Sequence, residues 1–115
     1  MKFAAIDIGT NAVRLLIKEI VVKNGELRIS KVSFTRVPLR LGEDVFETGN
    51  ISEKKARNLV KVMRAFWYLM DVYEIEWFKV CGTSAMREAS NVDYVLDIIK
   101  KEANITIELI DGQQE

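Results

Sequence analysis

The rhythm of apolar and polar positions changes several times along the chain, and each change marks an element. Residues 3 to 8 form a short apolar run and predict a buried strand; Val13 to Val22, long and rich in β-branched residues, predicts a second. The tight Gly9-Thr10-Asn11 turn joins them. Asn24-Gly25 then predicts a type I′ hairpin, the two-residue turn whose positive φ angles those residue types accept. From Glu26 to Leu41 the pattern alternates in places, at Leu27 and Ile29 and again at Val37, Leu39 and Leu41. Pro38 has no amide proton and points to a sheet edge or a strand end. Three antiparallel strands in succession make a meander.

The stretch GEDVFETGN interrupts the pattern with glycines and acids. Ser52 is then suited to cap a helix, with Glu53 in the first turn where the helix dipole favours it. Ala56, Leu59, Val60, Met63, Phe66, Trp67, Met70 and Tyr73 keep three-four spacing for about five turns, with Lys54, Arg57, Lys61 and Arg64 on the other side. That aromatic and methionine stripe reads as core. WFKVCG reads as a short buried strand, and Asn91 as the cap of a second helix with Val92, Val95, Ile98 and Ile99 on one face and Lys100-Lys101 near its end. ITIELI is a last strand. The predicted order is β-β-β-α-β-α-β, an α/β arrangement with a mixed sheet that resembles half of a ribonuclease H-like domain.

At 115 residues the chain has room for one domain or part of one, with a modest core. With 49% hydrophobic and 30% charged residues, the composition is that of an ordinary globular protein. Seventeen basic and seventeen acidic residues give zero net charge. The broad basic field of a nucleic-acid or anionic-membrane binder is therefore absent, and any anion must be held locally. The lone Cys81 cannot form an internal disulfide, and no run of 18 apolar residues is present; together these suit a soluble protein of the reducing cytoplasm. There is no histidine, which excludes Ser-His-Asp and Cys-His catalysis. Carboxylates, arginines and backbone amides remain.

Three constellations could carry chemistry. In Asp7-Ile8-Gly9-Thr10-Asn11, a turn of glycine and small polar residues lets backbone amides approach a phosphate, and the preceding carboxylate could hold Mg²⁺ directly or through water. A plain tight turn capped by Thr10 and Asn11 explains the same residues equally well. In CGTSAMREASN, residues 81 to 91, a strand ends in Gly82-Thr83-Ser84 and opens into a short helical segment, a recurring way of presenting amides and hydroxyls to an anion. Arg87, about one turn beyond Ser84, is placed to grip phosphate oxygens as a fork; pairing with Glu88 or Glu108 is the alternative. The third is the tail, Asp111-Gly112-Gln113-Gln114-Glu115, which taken alone reads as a solvated end.

Taken together, AAIDIGTNAVRLLI, GTSAMREASN and IELIDGQQE resemble the opening third of the exopolyphosphatase and guanosine pentaphosphate phosphohydrolase family, within the actin-like ATPase and sugar-kinase superfamily. The resemblance runs the whole length. The first motif is shared with sugar kinases; the second is more specific to these phosphatases and counts against a sugar or acetate kinase lobe.

The resemblance implies that Gly9, Thr10 and Asn11 form the first phosphate loop, with Asp7 near a Mg²⁺ or other divalent cation, through water. It implies further that Thr83 and Ser84 shape the site, that Arg87 binds phosphate, and that Glu115 is the catalytic base. Asp111 stands where the family usually has serine, and Gln114 where it has the first of two paired acids. The second, Gly-rich phosphate loop with its metal-binding aspartate is missing. Residues 1–115 are thus expected to be the N-terminal part of a two-lobe phosphatase domain, inactive alone. Its substrate would be inorganic polyphosphate, or guanosine pentaphosphate as the alternative, with a non-catalytic phosphate-sensing module as a further rival. The open sheet edge favours a homodimer.

Overall fold

The computed structural model describes residues 1–111. β1 (Lys2–Ile8), β2 (Val13–Lys23) and β3 (Glu26–Val37) form the meander; α1 (Leu41–Thr48) and α2 (Glu53–Val72) lead to β4 (Trp77–Gly82). α3 (Ser84–Glu88), α4 (Val92–Ala103) and β5 (Glu108–Leu109) follow. The sheet order is β3-β2-β1-β4-β5. β1 pairs antiparallel with β2 and parallel with β4, so it lies at the centre of a mixed sheet. Asn24 and Gly25 have φ of 54° and 78°, the pair of positive values that the type I′ turn requires.

Alternation along β1 buries Ala4, Ile6 and Ile8 on one face, where they meet Leu59, Met63 and Phe66 of α2 and Val95 and Ile99 of α4 in one core. Trp67 packs edge-on against Phe78, with ring centroids 6.0 Å apart. The opposite face of β1 and β4 carries Phe3, Ala5, Asp7, Trp77, Lys79 and Cys81 and lines an open groove. Among the described residues, no helix is long and apolar enough to cross a membrane.

Three boundaries differ from the sequence reading. β3 ends at Val37, before Pro38, so Leu39 and Leu41 lie outside the strand. β5 comprises only two residues, bonded in register to Cys81 and Gly82. GEDVFETGN lies largely within a helix, since α1 buries Leu41 and Val45 one turn apart. Its second glycine, Gly49, is a C-terminal cap at φ 84° whose N–H bonds to the Val45 carbonyl. Its first is a contact residue, described below.

Two polar side chains tie the connections together. Ser52 caps α2 by accepting from the Lys55 N–H at 3.3 Å. Asn91 stands at the start of α4, yet its amide is turned elsewhere: it accepts from the Ile51 N–H at 3.0 Å and donates to the Ile51 carbonyl at 2.8 Å. Asp44 joins α1 to α2, accepting from the Ser52 N–H at 3.2 Å and pairing with Lys55 at 3.1 Å. Hydrogen bonding from Ser52, with Lys55 beside it, holds this carboxyl below its ordinary value.

A carboxyl with a lowered folded-state pKa contributes stability that is fully present above its unfolded pKa and lost as pH falls through the folded one. Asp44→Ala is therefore expected to cost about 1 kcal/mol at neutral pH. The difference from the unsubstituted protein should close below the ordinary carboxylate range. Denaturant melts across that range check this; a gap independent of pH would contradict it.

Candidate phosphate site

The parallel register sets Ile8 opposite Gly82, so β1 and β4 end side by side. Crevices outside the carboxyl ends of parallel strands are where α/β sheets receive ligands. Thr83 fastens the two ends: its N–H and its Oγ1 both donate to the Ile8 carbonyl, at 3.1 and 3.2 Å. The turns that follow meet directly, because Thr10 Oγ1 and Ser84 Oγ share a hydrogen bond of 2.8 Å. Two hydroxyls and two strand ends thereby face one point, in a groove of about 600 Å³ that Asp7, Gly9, Thr10, Thr83 and Ser84 help to line.

The first turn is held from below. Gly9 N–H bonds to the Ala12 carbonyl at 3.0 Å, so this amide serves the turn and is not offered to a ligand. The Thr10 and Asn11 carbonyls accept from the Gly42 and Arg40 N–H groups, each at 2.9 Å. In a trans peptide the carbonyl and the following N–H point oppositely, so the N–H groups of Asn11 and Ala12 are turned away from α1. Arg40 adopts φ 55° to start α1 at this point. Gly42 allows the close approach: a Cβ there would come within 2.2 Å of Thr10 Cγ2.

Asp7 stands on the open face with its side chain 36% exposed, and Arg14 Nη2 donates to it at 2.5 Å. Among the described residues no group of three or more acids and cysteines gathers around it. A single carboxylate shared with a guanidinium does not make a protein cage for a cation. It does fit Mg²⁺ that keeps most of its waters and takes phosphate oxygens as its other ligands. Cys81 lies beside Asp7 in the sheet register, and burial pushes its thiol above the ordinary value, so it stays protonated at neutral pH.

Arg87 lies beside the same groove: its guanidinium donates to the carbonyl of Ile110, the residue after β5, and Ile110 itself lines the groove. Asn11 is exposed and lines an adjoining cleft with Arg14 and Arg36. Asp7, Gly9, Thr10, Thr83 and Ser84 are thus brought together in one groove, with Arg87 bonded to Ile110 of its lining and Asn11 in the cleft next to it. Gly112, Gln113, Gln114 and the expected base Glu115 lie outside the described residues.

Residues 20–115 match the Ppx/GppA phosphatase family. The chain belongs to that family. Relatives within it or close to it agree in sequence and in shape. The chain is 33% identical over 97% of its length to a bifunctional 3-dehydroquinate synthase/phosphatase of Fusobacterium nucleatum, of which it covers 17%. It is 29% identical over its full length to exopolyphosphatase 1 of Mycobacterium leprae, of which it covers 33%. The crystal structure of an exopolyphosphatase from Cytophaga hutchinsonii superposes with a TM-score of 0.90 at 33% identity, over all of this chain and 36% of that one. This Ppx/GppA chain therefore spans about a third or less of the length of these relatives. The fold is that of the actin-like ATPases, as the sequence resemblance implies.

Sequence reasoning missed Arg14, the partner of Asp7, and Gly42, because an isolated glycine near acids reads as a break. Gly42→Ala is expected to destabilise the chain by about 1–3 kcal/mol through overpacking and to displace Thr10 from Ser84. Combining it with Thr10→Ser, which removes the clashing methyl but keeps the hydroxyl, should recover most of the loss. A double-mutant cycle of unfolding free energies reads this coupling, and simple additivity would refute the contact.

Proposed function

We propose that this chain is the N-terminal part of a two-lobe phosphatase domain, and that the intact protein hydrolyses the terminal phosphoanhydride bonds of inorganic polyphosphate. The observation that carries the reading is the Thr10–Ser84 hydrogen bond, which joins two phosphate-suited strand ends beside Asp7. Membership of a phosphatase family supports it.

In this reading the N–H groups of the first turn, with the Thr10, Thr83 and Ser84 hydroxyls, hold the phosphate at the β1 and β4 ends. Fixed donors of this kind neutralise charge as it spreads over the phosphoryl oxygens, with little reorganisation. Asp7, kept in place by Arg14, would hold a divalent cation through water; when bound, that cation supplies further neutralisation of phosphate charge. Arg87, whose guanidinium donates to the Ile110 carbonyl at the groove, would grip phosphate oxygens from that side. Glu115 would orient and deprotonate the attacking water as general base, chemistry that needs no histidine.

The test is phosphate release from polyphosphate and from guanosine pentaphosphate by the full-length protein, with and without Mg²⁺. Release from polyphosphate is expected, dependent on Mg²⁺, and Glu115→Gln should lower kcat by roughly 10²–10⁴-fold. The 115 residues alone should turn over little or nothing. Preference for guanosine pentaphosphate would reassign the substrate, and full activity in Glu115→Gln would remove the proposed base.

A further inference from the structure

Asp7 pairs with Arg14 in the β1–β2 register, and Arg14 with Arg36 in the β2–β3 register. Residues directly opposite one another on neighbouring strands project to the same face, so the three form one charged row across the sheet. The row contains two guanidiniums and one carboxylate. Asp7 compensates Arg14. Arg36 is exposed, and among the described residues no acid forms an ion pair with it.

Arg36 and Arg14 form one wall of a cleft of about 230 Å³ whose other wall is the Gly9–Ala12 turn. Gly9, Thr10 and Arg14 line both this cleft and the larger groove. A ligand can therefore pass from one to the other without leaving the surface. Arg36 lies two strands from β1, roughly 10 Å at the usual interstrand spacing. It is too far away to touch a phosphate held between the β1 and β4 ends, but well placed for phosphates further along the same chain. An uncompensated guanidinium beside a glycine turn suits a phosphate group, since its planar fork matches two phosphate oxygens.

We propose that Arg36, beside the Gly9–Ala12 turn, forms a second phosphate subsite, which takes internal phosphates of a polyphosphate chain whose terminal phosphate lies at the strand ends. The inference rests on the polyphosphatase reading above and extends it: Arg36 sets affinity for long chains and leaves the chemical step alone.

The full-length protein and its Arg36→Ala and Arg36→Lys variants are compared on pyrophosphate and on polyphosphates of increasing length. Arg36→Ala is expected to raise KM for long chains about tenfold, the usual loss for a charge-assisted hydrogen bond, with kcat unchanged and pyrophosphate unaffected. Arg36→Lys should restore part of the loss. The slope of log affinity against log salt should fall by about one in Arg36→Ala. Equal KM in all three proteins at every length would overturn the subsite, as would a fall in kcat at constant KM, the pattern of a structural effect. Calorimetric titration with long-chain polyphosphate separates the two readings. If the unsubstituted protein binds it without hydrolysis, the polyphosphatase reading fails, and weaker binding by Arg36→Ala still upholds the subsite. If the unsubstituted protein does not bind it, both fail.

Discussion

Thr83 donates two hydrogen bonds to one oxygen, the carbonyl of Ile8, and the rest of the site depends on that fastening. It closes the β1–β4 register at the last residue of each strand. A slip of one residue would turn every side chain of β1 to the other face. Asp7 would then enter the apolar layer beneath the helices, and Ala4, Ile6 and Ile8 would be exposed. The alternation that builds the core is therefore the same alternation that sets Asp7 on the open face. Core packing and site geometry are one constraint.

The first turn gains its shape from α1 as much as from its own residues. Two carbonyls of the turn are captured by N–H groups at the start of α1, which turns the opposing N–H groups away from α1. That arrangement costs a left-handed backbone at Arg40 and the absence of a side chain at Gly42. Both are local penalties, and both lie where the chain passes from sheet to helix. Asp44 then fixes α1 to the cap of α2, so the support extends into the core helix. A turn placed on rigid elements keeps its donors in position before any ligand arrives.

Much of this was legible in the sequence, for physical reasons that differ by element. β1, β2 and α2 carry strong periodicity because each buries one continuous face, and the hairpin announces itself through the positive φ angles of Asn24 and Gly25. The strand-end motifs stand out because polar residues interrupt apolar runs at Asp7 and again at Thr83. α1 was obscured because its glycines serve tertiary contact and capping, roles that local propensity scores as breaks. Asn91 was correctly placed at a helix start, yet its amide satisfies Ile51, a partner 40 residues away that no local pattern reveals. Arg87 likewise answers to the Ile110 carbonyl, a contact made only once β5 has docked. Arg36 drew no notice, since its significance comes from being opposite Arg14 in register rather than from any motif.

The charged row clarifies what Asp7 can contribute. A carboxylate that already accepts from Arg14 offers a cation less net charge than a free one, and the described acids and cysteine form no group of three or more around it. A divalent cation there would be held weakly by protein alone and would draw the remainder of its coordination from water and phosphate oxygens. Cation and polyanion would then each raise the affinity for the other, as linkage requires. Under the proposed subsite, a guanidinium two strands away would strengthen the same coupling from the anion side, because a chain gripped at Arg36 would present its end to the strand termini at high effective concentration. On the proposed reading the site would be organised around the ligand's charge, with arginines and amides holding the phosphate chain and Asp7 facing the cation that accompanies it.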